Sequence, residues 1–390
     1  MKTLVYLDNA ATTPVRPEVL EAMMPFLTDR AFGNPSSSHT FGRTARAGVE
    51  EARRKIAAAF GAEPREVIFT SGGTEADNLA LAGAALAAKH AGKPFRIAVC
   101  ATDHKAVLGA AHWVEHLGGE TITLPVDSQG RLETAAIDDA LARGIAALGT
   151  MWVNNETGTI QDVADIGARC QRAGTPFHVD AVQAVGKISC GVAEAQAAFF
   201  AISGHKIGGP KGIGALIVRN RAALEAIIHG GGQQAGIRPG TENVPGIVAL
   251  GRAVELAVAE QPTTADSLRS LRDDLEQWIT VNVSDAVVHG AGAPRAPHIC
   301  NVSIPGTDSE SLLMHLDMAG IACSSGSACT TGSVEPSHVL SAMGLPRELG
   351  VAALRFSFGK QNSAADVRRV TEELPGAVAK IRRLAGALGR

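Results

Sequence analysis

Between about residues 64 and 220 the chain alternates short apolar runs with longer stretches of helical pattern. Val67-Ile68-Phe69 predicts a strand, and the Ala- and Leu-rich stretch 75–89 predicts the helix after it. Ile97-Ala98-Val99-Cys100 predicts a second strand, followed by a helix over 106–117. Further strands are predicted over 145–153, at Phe177-His178-Val179 and over 197–202. Strands that alternate with helices build a mostly parallel sheet covered on both faces. The pattern therefore predicts a large α/β domain over residues 16–259. It ends in a helix from 244 to about 260, and Gln261-Pro262-Thr263-Thr264 is the expected boundary. Beyond it come strands over 299–304 and 354–358 and a last amphipathic helix over 365–384. A smaller α+β domain is expected from residues 260–390 together with 1–15.

Composition narrows the function classes. The chain has 390 residues, 45% hydrophobic and 19% charged, as in an ordinary soluble enzyme. Its net charge is −3 and no run of Lys or Arg forms a stripe, which argues against nucleic acid as a partner. No apolar stretch reaches the ~20 residues of a membrane helix. The apolar N-terminal run is broken at Asp8 and does not read as a signal peptide. None of the six cysteines is spaced C-x-x-C, so neither a zinc ribbon nor a thioredoxin-like motif is supported. Most lie beside apolar residues and read as small buried hydrophobes, which suits a reducing, cytoplasmic compartment.

Candidate chemistry lies at the ends of the predicted strands and in one loop. Ser324-Ser325-Gly326-Ser327-Ala328-Cys329-Thr330-Thr331-Gly332-Ser333 contains nothing bulky enough to pack into a core. A mobile loop over about residues 323–334 is expected, carrying a thiol that is a hazard unless its reactivity is used. The run 197–202 ends in Ser203-Gly204-His205-Lys206. Ligands of open α/β sheets bind beyond the carboxyl ends of the strands. Lys206 is thus either an ordinary turn lysine or an amine placed for a Schiff base with a carbonyl cofactor. Asp180 ends another strand, with Gln183 shortly after. It suits the pyridinium nitrogen of pyridoxal phosphate, or it caps the next helix. In Thr70-Ser71-Gly72-Gly73-Thr74-Glu75, between a strand and a helix, backbone N–H groups and the Thr74 hydroxyl favour a phosphate or form a simple N-cap. His104, in Asp103-His104-Lys105, is an acid/base candidate, a ring to stack on a flat cofactor, or a structural histidine.

Two other motifs carry less. Gly230-Gly231-Gly232-Gln233-Gln234-Ala235-Gly236 has no following Lys-Ser/Thr and no suitable preceding strand, so neither a Walker A loop nor a dinucleotide fold is supported. His112-Trp113-Val114-Glu115-His116 matches the inverted zinc-peptidase pattern, with two histidines on one helix face. In an outer helix of the α/β layer, two solvated or partly packed histidines are the better reading, and no metal site is expected.

Taken in order, the motifs resemble the cysteine desulfurases, pyridoxal-phosphate enzymes of the class V aminotransferase group. They are Tyr6-Leu7-Asp8-Asn9-Ala10-Ala11-Thr12-Thr13-Pro14, Gly33-Asn34-Pro35-Ser36, Ser71-Gly72-Gly73-Thr74-Glu75 and Asp103-His104-Lys105-Ala106-Val107. Then come Val153-Asn154-Asn155-Glu156-Thr157-Gly158, His178-Val179-Asp180-Ala181-Val182-Gln183, Ser203-Gly204-His205-Lys206, Gly240-Thr241-Glu242-Asn243 and the Cys329 loop. The resemblance covers nearly the whole chain, and the serine-rich loop looks like the branch that includes nitrogen-fixation and housekeeping iron–sulfur assembly enzymes. Ala235 departs from the basic residue that many relatives carry there.

The resemblance implies a type I pyridoxal-phosphate fold and a set of roles. Lys206 would carry the cofactor and move protons. Asp180 would pair with the ring nitrogen and Gln183 with the ring's phenolic oxygen. His104 would stack on the ring as a candidate acid/base. Gly73, Thr74, Ser203 and His205 would hold the phosphate. Thr241 would reach the phosphate of the neighbouring subunit of a homodimer. Asn155 and Arg355 would bind the substrate carboxylate, with Asn34 nearby. Sulfur would pass from L-cysteine to Cys329 as a persulfide and on to an acceptor protein such as an iron–sulfur scaffold, leaving alanine. Selenocysteine lyase, which shares the cofactor machinery, is the nearest alternative.

Overall fold

The computed structural model describes residues 4–325 and 335–388. The chain opens with strand β1 (Val5–Tyr6) and helices α1 (Pro17–Met23) and α2 (Thr40–Phe60). Alternation then sets in: β2 (Val67–Thr70), α3 (Gly73–His90), β3 (Arg96–Cys100), α4 (Lys105–His116), β4 (Glu120–Leu124) and α5 (Thr134–Ala142). It continues with β5 (Ala147–Met151), α6 (Val163–Ala173), β6 (Phe177–Asp180), β7 (Phe199–Ser203) and β8 (Gly214–Val218). Helix α7 (Val244–Asn282) leads to β9 (Val287–Val288), β10 (Ile299–Ser303), α8 (Ser309–Met318) and β11 (Ile321–Ala322). The last elements are α9 (His338–Ala342), α10 (Arg347–Gly350), β12 (Ala353–Ser357) and α11 (Ala364–Leu388).

Strands β2 to β8 form one seven-stranded sheet in the order β2-β8-β7-β6-β5-β3-β4. Only β8 runs antiparallel to its neighbours, so the carboxyl ends of β2, β3, β5, β6 and β7 share one edge. Every residue of β5, β6, β7 and β8 is buried. That is why these strands read as continuous apolar runs and not as alternating ones. Helices α3 and α4 cover one face through Leu79, Leu81, Val107 and Val114. The other face packs on α2 and the first half of α7 through Val49, Ile56, Phe60, Leu250 and Val254. Burying a side chain such as Phe60 or Phe200 is worth roughly 1.5–3 kcal/mol.

A second core gathers β1, β10, β12, α8, α11 and the second half of α7. The expected interruption at residues 261–264 does not occur: α7 runs unbroken for 39 residues with Pro262 inside it. Val254 belongs to the first core and Ala265 is the next buried residue, eleven positions or about three turns on. The apolar stripe therefore keeps its helical phase through the polar stretch, and Leu268, Leu271, Leu275 and Ile279 continue it into the second core. Among the described residues no helix is long and apolar enough to cross a membrane.

Candidate active site

The shared carboxyl edge of the sheet opens into a cavity of about 360 Å³. Its walls hold Gly73, Thr74, His104, Asn155, Asp180, Gln183, Ser203, His205, Lys206 and Arg355, all of them candidates from sequence. Each arrives through the fold. Asp180 is the last residue of β6, and Lys206 closes the short turn that follows β7. Gly73 and Thr74 open α3, whose first N–H groups have no partner within the helix. A Cβ on Gly73 would stand 2.8 Å from Val182 Cγ2, so only glycine lets the helix start this close to the Asp180–Gln183 turn.

The electrostatics follow from burial. Lys206 Nζ donates to the carbonyls of Ala10 (2.6 Å) and Ala11 (2.8 Å). Burial, helped by the Arg355 cation, draws its pKa down to about 8. Burial and the nearby Asp77 push Asp180 up to about 7, opposed by His104. Asp180 also accepts from the Val182 N–H at 2.9 Å. Gln183 donates to the Ala10 carbonyl at 2.8 Å, which fixes its amide and leaves a second N–H for a ligand. His205 pairs with Thr12 Oγ1 at 3.1 Å, and burial lowers it to about 4, so it is a neutral ring beside Ser203.

Arg355 is more committed than the sequence suggests. It is 4% exposed, its Nη1 donates to the Asn155 carbonyl at 2.8 Å, and its Nη2 meets Asp8 Oδ1 at 2.7 Å. Its Nε is buried and has no partner among the described residues. Removing one member of a fully buried pair costs ~3–5 kcal/mol. Asp8 keeps some contact with water, so Asp8→Ala is expected to cost less, about 2 kcal/mol. Urea denaturation would measure it, and unchanged stability would show that the pair does not hold Arg355 in place.

The cavity also contains residues that sequence reasoning did not single out. Asp77, from α3, lies 3.0 Å from His178 Nε2, two positions before Asp180 on β6. Burial pushes the Asp77 carboxyl up to about 8 and the His178 ring down to about 4, so this pair adds no net charge beneath the site. Glu156 is buried and accepts from Ser337 Oγ, and His338 lies next to it at the start of α9. Asp103 ties two strand ends together, accepting from the N–H of Cys100 (2.9 Å) and of Met151 (2.8 Å). A Ser before an apolar pair, as in Ser337-His338-Val339-Leu340, is an N-cap signal that marks the start of α9.

Two candidates lie elsewhere, and a third falls outside the described residues. Asn34 is exposed and its Oδ1 accepts from the Ser36 N–H at 2.9 Å. Thr241 is exposed, on a segment fastened to α3 by the Arg238–Glu75 ion pair at 2.8 Å. Cys329 lies outside the described residues. The zinc reading is not favoured. The His112 side chain is 85% exposed, and His116 stacks on Trp113. Among the described residues no three His, Cys, Asp or Glu side chains are grouped to hold a metal ion.

The residues present fit pyridoxal phosphate. An amine, a buried carboxylate and a helix N-terminus flanked by two hydroxyls converge on one cavity large enough for a substituted pyridine. Residues 5–370 match the aminotransferase class V family. The chain is 43% identical over 382 residues to cysteine desulfurase IscS of Dictyoglomus turgidum, covering 98% of this chain and 96% of that one. It is 45% identical to a cysteine desulfurase of Gluconacetobacter diazotrophicus, with 97% and 94% covered. A solved NifS-like protein superposes with a TM-score of 0.86 at 34% identity, covering 98% of this chain and all of the other.

Proposed function

Because the chain belongs to the class V aminotransferases and, within them, to the cysteine desulfurases, we propose that the cavity around Lys206 is where L-cysteine loses its sulfur with the help of pyridoxal phosphate. The observation that carries this reading is the convergence of Lys206, Asp180, Thr74 and Ser203 on one cavity. Bound there, pyridoxal phosphate would supply an electron sink for the substrate carbons.

The chain's own residues account for the rest. The Lys206 amine, neutralised in part by burial, would hold the cofactor and then carry protons. Asp180 would face the ring nitrogen, and Gln183 the oxygen beside it. The start of α3 with Thr74, Ser203 and His205 would cradle the phosphate. Arg355 and Asn155 would orient the substrate carboxylate, with a guanidinium already braced by Asp8. Cys329 would take the sulfur: its thiolate bonds to the substrate sulfur, the C–S bond breaks, and the products are a Cys329 persulfide and L-alanine. Thr241 is exposed and suits contact with the phosphate of a second subunit in a homodimer. An acceptor protein, such as an iron–sulfur scaffold, would then collect the sulfur in the cytoplasm.

The test is the visible spectrum of the purified protein before and after L-cysteine, with alanine assayed in the same tube. A yellow protein, a spectral shift and alanine are expected. A colourless protein that pyridoxal phosphate cannot reconstitute would overturn the reading. Comparing rates on cysteine and selenocysteine separates it from selenocysteine lyase, a reading the relatives do not favour.

A further inference from the structure

The cavity wall carries three imidazoles, His104, His205 and His338, and hydrogen bonds engage opposite ring nitrogens of His104 and His338. The backbone N–H of Ala106 donates to His104 Nδ1 at 3.1 Å, so that nitrogen bears the lone pair. A neutral His104 therefore carries its proton on Nε2 and offers the site a donor. Burial favours that neutral form. His338 is the reverse. Its Nε2 stands 3.0 Å from the Asp103 carbonyl oxygen, which only accepts, so Nε2 carries the hydrogen. The lone pair of a neutral His338 is on Nδ1. Both rings line the same cavity.

We propose that His338 is the proton acceptor for incoming L-cysteine, while His104 serves as a donor. This rests on the desulfurase reading. L-cysteine arrives with a protonated amino group, which must lose its proton before the nitrogen can act as a nucleophile. His338 Nδ1 takes that proton and becomes an imidazolium, and it returns the proton to the amino group of departing alanine. No oxidant or reductant is needed.

The placement is built into the fold. The carbonyl that holds His338 belongs to the peptide bond leading into His104, so the two rings are linked through one backbone unit. The Asp103 carboxylate pins that unit to the ends of β3 and β5. Ser337 is fastened to buried Glu156, and Val339 and Leu340 pack on Cys100 and Val126. The titratable groups set against His338 are His104 and Asp103 at the start of α4 and Glu156 after β5, and Lys105 and Arg355 share its cavity wall.

The decisive variant is His338→Gln, whose amide N–H can still donate to the Asp103 carbonyl but has no basic ring. It is expected to keep the melting temperature and the resting visible spectrum. The second-order rate of the spectral change on mixing with L-cysteine should fall about 100-fold at pH 7. The deficit should close as pH rises and the free amino acid deprotonates unaided. A deficit that is the same at every pH, or no deficit, overturns the role of His338. A wild-type protein with no spectral response overturns the desulfurase reading itself. An independent readout is the ¹⁵N spectrum of histidine-labelled apoprotein, with the variant assigning the signal. Hydrogen on Nε2 of His338 is expected, and hydrogen on Nδ1 of the neutral ring would refute the assignment.

Discussion

Lys206→Ala is expected to abolish turnover while leaving a folded protein. The side chain reaches the cavity from the turn after β7, where its Nζ donates to two carbonyls. With the pKa drawn down to about 8, roughly one amine in ten is neutral at pH 7, against roughly one in a few thousand for an ordinary lysine. Covalent capture of pyridoxal phosphate by apoprotein should accordingly slow as pH falls below about 8 and level off above it, since only the neutral amine attacks. The substitution removes both the covalent anchor and a proton carrier. Proton transfer alone is worth ~10²–10⁴-fold, so a loss of at least ~10³-fold is expected. Borohydride reduction followed by mass measurement checks the anchor. Cofactor still attached to the variant after reduction, or a tenth of wild-type turnover, would refute the assignment.

The second large effect belongs to Cys329. Cys329→Ala should retain the coloured, covalently loaded cofactor and yet form neither persulfide nor alanine, again with a loss of at least ~10³-fold, because the acceptor of the sulfur is gone. The other cysteines give this prediction its force. Cys100, Cys170 and Cys300 are buried, and Cys190 and Cys323 are half-buried. Burial pushes the thiols of Cys100, Cys170 and Cys190 up to about 12 and raises those of Cys300 and Cys323 as well. A thiol held that far above neutrality is a poor nucleophile. Alkylation of the persulfide followed by peptide mass mapping would locate the sulfur. Alanine released by Cys329→Ala at the wild-type rate would defeat the proposal.

The parts of the site legible in the sequence are those in which one short segment reveals both position and chemistry. Asp180 and Lys206 each follow an uninterrupted apolar run, so the strand end and the reactive group appear together. The Gly72-Gly73-Thr74 turn is legible for the same reason. Arg355 is harder: it sits inside the buried strand β12, between Leu354 and Phe356, and only the resemblance gave it a role. Asp8 and His338 were not legible, because their partners, Arg355 and Asp103, lie more than 200 positions away. A five-residue helix such as α9 is also too short to show a period. The helix end expected at Gln261-Pro262 is absent for a local reason. Proline usually ends a helix, but here the buried positions on either side share one phase and both find cores to pack against.

That continuous helix works as a ruler. Along α7 there is no linker to absorb a change of length between the two cores. An α-helix turns about 100° per residue. One residue added between Val254 and Ala265 would swing Leu268, Leu271, Leu275 and Ile279 about a quarter-turn or more away from their partners, whatever the added residue was. The stretch is therefore constrained in length whatever its sequence, and Glu255 and Glu260 within it also hold ion pairs to Lys55 and Arg16. Deletions and insertions should be far rarer there than substitutions, the opposite of what a connecting loop would record.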